Sequence, residues 1–230
     1  MFIWIIFGVF ALIGGLVSKR LKNKFKKYSQ IPIASGMSGS EIAQQMLRDN
    51  NIYDVKVTMV PGELTDHYHP THKTVNLSES VYHGKNAASA AVSAHECGHA
   101  LQHAQAYAPL KMRSTLVPLQ NVSAKLINVL VLVGMGGIFM NFLPYHWVIL
   151  GLCFAYGAIA LFALVTLPVE FDASKRALDW IDTNKIVTRE ELAMSKDALW
   201  WAAMTYVVSA IGSMVTFLYY LSIFLSKRRR

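Results

Sequence analysis

The sequence predicts a mainly α, polytopic membrane protein with about four transmembrane helices and one small α/β domain, which carries a short strand edge and a helix bearing His95-Glu96-Cys97-Gly98-His99. Three observations lead there. Of the 230 residues, 53% are hydrophobic and only 16% are charged, too apolar a balance for an ordinary water-soluble domain. The basic residues gather beside apolar runs, most densely at Lys19, Arg20, Lys22, Lys24, Lys26 and Lys27, as expected where helices meet an anionic leaflet. The net charge of +8 is therefore read as a match to the lipid bilayer and not to nucleic acid. Finally, the Ala-rich, proline-free stretch from Asn86 to Gln105 places two histidines and a glutamate at the spacing of a metal site.

Taken in order, Phe2 to Val17 is apolar, has no basic residue ahead of it and no cleavage-site pattern behind it, so it is expected to stay as an anchor. Leu126 to Leu143 and Trp147 to Leu167 each have the length that crosses hydrocarbon, and Pro144-Tyr145-His146 joins them as a hairpin. Ala202 to Leu225 is the fourth segment, with Trp200, Trp201, Tyr219 and Tyr220 near its ends, where amphipathic rings favour the interface. The expected organisation is an anchor at 1–18, an α/β catalytic region at 19–123, a membrane hairpin at 124–167, a further helix at 168–201, and a last span with its basic tail at 202–230. Twelve basic residues between Lys19 and Arg113 and five between Lys175 and Lys196, against four at the C-terminus, place both polar regions in the cytoplasm. The two cysteines, Cys97 and Cys153, offer no disulfide framework and are expected to be free thiols.

Within the polar region, Ser38-Gly-Ser-Glu41 is a capping box ahead of a helix near Glu41 to Asp49. Val55 to Val60 alternates as a half-buried strand does, Pro61-Gly62 turns the chain, and Lys73 to Leu77 is a second short strand. Leu64 to His72, between them, is unusually rich in Asp66, His67, Tyr68, His69 and His72 for a connector.

On a helix, residues four apart share a face, so His95 and His99 can approach one metal ion while Glu96 reaches its water. A catalytic zinc needs a third protein ligand and an open position. His103 lies too far along the axis, roughly 12 Å from His95 at helical rise, and is expected to take a supporting or substrate-facing place. The remaining candidates are Glu170, Glu190 and Glu191; the last belongs to the capping box Thr188-Arg-Glu-Glu191, while Glu170 follows Pro168 at the end of an apolar segment.

At these residues the sequence resembles the YugP-like neutral zinc metallopeptidases of bacterial membranes. The resemblance covers nearly the whole chain, through Leu64-Thr-Asp-His-Tyr-His-Pro70, Lys73-Thr-Val-Asn-Leu-Ser-Glu-Ser-Val-Tyr82, the helix of the His-Glu-Cys-Gly-His motif, and Pro168-Val-Glu-Phe-Asp-Ala-Ser174. A more distant similarity is to membrane gluzincins of the heat-shock and CAAX-protease type, which implies a gluzincin-like catalytic domain with Glu170 as third zinc ligand. Those relatives usually carry an acid four residues after that glutamate; here the place is Ser174, with Asp172 nearer. The resemblance implies a membrane-bound endopeptidase acting on polypeptides with one zinc ion held by His95, His99 and Glu170 and with Glu96 as general base. For the oxyanion, His67, Tyr68 and Arg176 are the candidates. Strand addition at Lys73 to Leu77 is the expected mode of peptide docking. The alternative is a zinc-binding membrane scaffold or adaptor without catalysis. A transporter is disfavoured, because Leu126 to Leu143 and Trp147 to Leu167 contain no ionisable group at mid-span.

Overall fold

The computed structural model describes residues 2–140 and 144–228. The end of the expected second membrane segment, Asn141 to Leu143, and Arg229 and Arg230 of the basic tail lie outside the described residues. The protein is mainly helical, with a small sheet. In chain order the elements are α1 (Phe2–Tyr28), α2 (Gly39–Asp49), β1 (Lys56–Val60), β2 (His67–His69), β3 (Thr74–Ser78), α3 (Glu79–Tyr82), α4 (Ala87–Ala104), α5 (Ala108–Met140), α6 (Tyr145–Thr183) and α7 (Arg189–Arg228).

Four helices are long and apolar enough to cross a membrane, over Phe2–Tyr28, Ala108–Leu132, Tyr145–Thr183 and Arg189–Ser226. Each runs beyond the apolar run that announces it, because backbone hydrogen bonding continues where hydropathy stops. Proline does not end these helices either. Pro118 lies inside α5 and Pro168 inside α6, although proline has no backbone N–H to give to a helix.

The chain divides into two compact units. The first comprises 1–15, 112–167 and 205–230. Its small core holds Val148, Ile149, Leu152, Cys153 and Tyr220. Tyr156 stacks on Tyr220 at 5.4 Å. Its outer faces are apolar: Phe2, Trp4 and Leu12 of α1, Leu132 of α5, Phe154 of α6 and Leu218 of α7 are all exposed. A surface of this kind suits hydrocarbon as its solvent.

The second unit comprises 16–111 and 168–204 and contains the sheet. The order is β1-β3-β2, with β1 parallel and β2 antiparallel to β3. This corrects the expectation for Lys73 to Leu77. That strand is central, paired on both sides, and the edges are β1 and β2. His67–His69, read from sequence as part of a connector, pairs with β3 through His67 opposite Asn76 and His69 opposite Thr74. Asp66 anchors the turn into β2 by accepting from the Ser78 backbone N–H at 2.7 Å and from its hydroxyl.

The expected capping box at Ser38 forms, and the structure adds a cap at Asn86. Ser38 and Glu41 exchange side-chain and backbone hydrogen bonds at the start of α2, and Asn86 Oδ1 accepts from Ser89 N at 2.9 Å to cap α4. The core gathers Ile42, Met46, Leu47, Val75, Leu77 and Val81 around α4, whose small residues allow neighbours to close in from several sides.

Candidate metal centre

Two turns of α4 supply half of the site. His95 and His99 stand on one side of the helix with ring centroids 4.8 Å apart and planes at 84°. His99 is buried and His95 half-buried.

The other half arrives on α6. A Cβ added at Gly98 would lie 2.5 Å from the carbonyl oxygen of Ala173, so glycine is what allows the two backbones to meet here. The contact brings Glu170, one turn before Ala173, to the imidazoles. Its Oε2 is 3.4 Å from His95 Nε2 and 3.6 Å from His99 Nε2.

These ligand atoms all lie within 4.8 Å of one another, an arrangement that could hold a metal ion. Donors about 2.0–2.1 Å from a tetrahedral ion stand roughly 3.3 Å from each other, close to both nitrogen–oxygen spacings. Electrostatics agree with a cation between them. Glu170, 2% exposed, is closed off from water with its carboxylate against both imidazoles. Burial opposes a charged His99, but the bond to Glu170 and the nearby charges of Glu96 and Glu170 raise its pKa. A buried carboxylate against two imidazole edges is a surrounding that a cation would stabilise. The residues fit a zinc ion on geometry and on donor chemistry.

The remaining ring nitrogens are also engaged. His95 Nδ1 is 3.1 Å from Ser174 Oγ, and His99 Nδ1 is 3.1 Å from Gln102 Oε1. Gln102 Nε2 donates to Val169 O at 2.7 Å and to Asp172 Oδ2 at 2.8 Å. Asp172 in turn accepts from Arg176 Nε at 2.5 Å, and Arg176 Nη1 donates to Gln105 Oε1. The departure at Ser174 noted in the sequence is therefore a place where a hydroxyl meets His95, while Asp172 serves His99 through an amide.

Glu96 is buried beside this group, 8% exposed. Other residues singled out from sequence have different partners. Glu191 accepts from Thr188 N at 2.8 Å and from Ala34 N at 3.1 Å, and Glu190 is exposed in the first turn of α7. His103 Nδ1 meets the Tyr68 hydroxyl at 2.8 Å. Burial pushes that phenol up to about 12, so it keeps its proton at neutral pH. His67 uses Nδ1 on Thr65 O and Nε2 near Asn76, and Arg176 is held by Asp172 and Gln105. Sequence reasoning missed Gln102 as a partner of His99. Its position three residues after His99 was the available signal.

Comparison with known proteins gives a consistent result. The family described as "Putative neutral zinc metallopeptidase" matches residues 3–225. The chain is 39% identical over 209 residues to a protein of Bacillus subtilis (strain 168) named "Putative membrane protease YugP", covering 91% of this chain and 90% of that one. No solved structure matches.

Proposed function

The chain belongs to the neutral zinc metallopeptidase family, and from that premise we propose that it is a multi-pass, membrane-bound zinc endopeptidase. The proposed ligands are His95, His99 and Glu170, with Glu96 as general base. The observation that carries this reading is the convergence of two imidazole nitrogens and a buried carboxylate from separate helices on a volume the size of one ion.

When bound, zinc supplies a Lewis acid that makes a water nucleophilic near neutral pH and polarises the scissile carbonyl. The chain's own residues do the rest. Glu96 takes a proton from the attacking water and delivers it to the leaving amine. Burial of Glu96 and Glu170 keeps bulk water from weakening these charges. For the peptide, β2 replaces β3 as the proposed docking edge. It is an edge strand, and Tyr68 within it reaches His103, one turn beyond His99 on α4. The count of basic residues supports a cytoplasmic site.

The test is zinc content and proteolysis of the purified full-length protein against an unfolded membrane-protein substrate. Wild type is expected to bind one zinc and cleave. Glu96→Gln is expected to keep the metal and lose activity by about 10²–10⁴-fold, and Glu170→Ala to lose both. Full metal occupancy without any Glu96-dependent cleavage would instead identify a zinc-binding scaffold.

A further inference from the structure

We infer that Gln102 is a positioning residue of the metal centre: its amide, locked in one orientation by two acceptors on α6, fixes which nitrogen of His99 faces the ion. The inference rests on the reading of His95, His99 and Glu170 as metal ligands.

An amide has two unlike ends, and the surroundings of Gln102 accept only one assignment. The side chain is completely buried. Its nitrogen lies against the carbonyl of Val169 and the carboxylate of Asp172, at 2.7 and 2.8 Å. Both groups are acceptors. Asp172 is itself oriented by donation from Arg176 Nε. Reversing the amide would set an oxygen against two oxygens and forfeit both hydrogen bonds in a buried place, so the NH2 must face α6. Gln102 Oε1 then faces His99 Nδ1 at 3.1 Å. An amide oxygen cannot donate, and so His99 must carry its proton on Nδ1. The lone pair is left on Nε2, the nitrogen 3.6 Å from Glu170 Oε2, where a metal ligand needs it.

His95 is supported differently. Its Nδ1 meets the Ser174 hydroxyl, a group that rotates and can either give or take a hydrogen bond. Ser174 therefore accommodates His95, whereas Gln102 dictates the state of His99. The same amide has a second effect. Val169 precedes Glu170, so the bond from Gln102 to Val169 O pins α6 beside the residue that supplies the carboxylate ligand. One neutral side chain thus sets a ligand tautomer on α4 and the position of a ligand on α6. It does so without adding a third negative charge beside Glu96 and Glu170.

The experiment measures zinc affinity by chelator competition, together with thermal unfolding of the metal-free protein, using the full-length chain in detergent. Gln102→Leu removes the acceptor, and zinc affinity is expected to fall roughly 10–100-fold. Gln102→Glu keeps an acceptor for His99 Nδ1 while losing the donor to Val169 O. Its affinity is expected to stay well above that of Gln102→Leu although the metal-free protein unfolds at a lower temperature. If Gln102→Glu does not fold beside Asp172, the double variant Gln102→Glu/Asp172→Asn restores a donor–acceptor pair and is expected to bind zinc as wild type does. A purely structural role gives another pattern: both single variants keep wild-type affinity, or affinity falls in step with stability in both. Either result overturns the inference while leaving the metal reading intact. Failure of wild type to bind zinc, or binding unaffected by His99→Ala, overturns that reading and this inference with it.

Discussion

The two helices that supply the candidate ligands share a core but are enclosed to different extents. α4 has 18 residues, most of them Ala, Ser, Gly or other small groups, and it is enclosed on nearly all sides by the core of its unit. Its imidazoles are held because the whole helix is held. α6 has 39 residues and carries no charge until Glu170. Beyond Pro168 it meets α4 along a seam made by the Gly98–Ala173 approach, the hydrogen bonds from Gln102 to Val169 and Asp172, and the Ser174–His95 contact, and it adds Ala177, Trp180 and Ile181 to the same core. The difference is one of placement: the histidines sit within a helix enclosed along its length, and Glu170 sits where a long helix enters the same core.

Changes along that seam test this contrast most strongly. Gly98→Val forces a branched side chain against the Ala173 backbone, which cannot give way as a flexible side chain would. It is expected to cost about 3 kcal/mol or more in thermal unfolding and to abolish zinc binding; wild-type zinc affinity in this variant would show that the close approach is not what positions Glu170. Asp172→Ala takes one acceptor from Gln102 and the partner from Arg176, and a fall of about tenfold in zinc affinity is expected by chelator competition. For Ser174→Ala the loss is expected to be only about two- to threefold, smaller than for Asp172→Ala, because a water can replace a hydroxyl at a half-buried place. Gly14→Ala is the control at the far end of the scale. Nothing lies within 4 Å of the added Cβ, so zinc affinity is expected to be unchanged and stability to rise by no more than about 1 kcal/mol.

What could be read from the sequence depended on the range of the interaction. The His95, Glu96 and His99 spacing is a property of helical periodicity, and the caps at Ser38 and Thr188 are equally local. Glu170 stood out among the acids partly by elimination, since Glu191 had a capping role that the structure reproduces. The β-sheet order was not legible in this way. A strand of three polar or aromatic residues, His67–His69, has too few positions to show an alternating pattern, and its pairing to β3 is a tertiary event. The role of Gln102 was half visible. Its spacing from His99 is helical, but the groups that orient its amide belong to a segment about 70 residues later.

Cys97 lies between the two histidines in sequence but not in space. Its thiol is fully buried on another side of α4, donating to Ala43 O at 3.5 Å, and burial pushes its pKa far above the usual thiol range. A soft sulfur ligand two residues from each imidazole would otherwise compete for the ion and give oxidants a nucleophile to attack. Turned inward and protonated, it is placed to do neither.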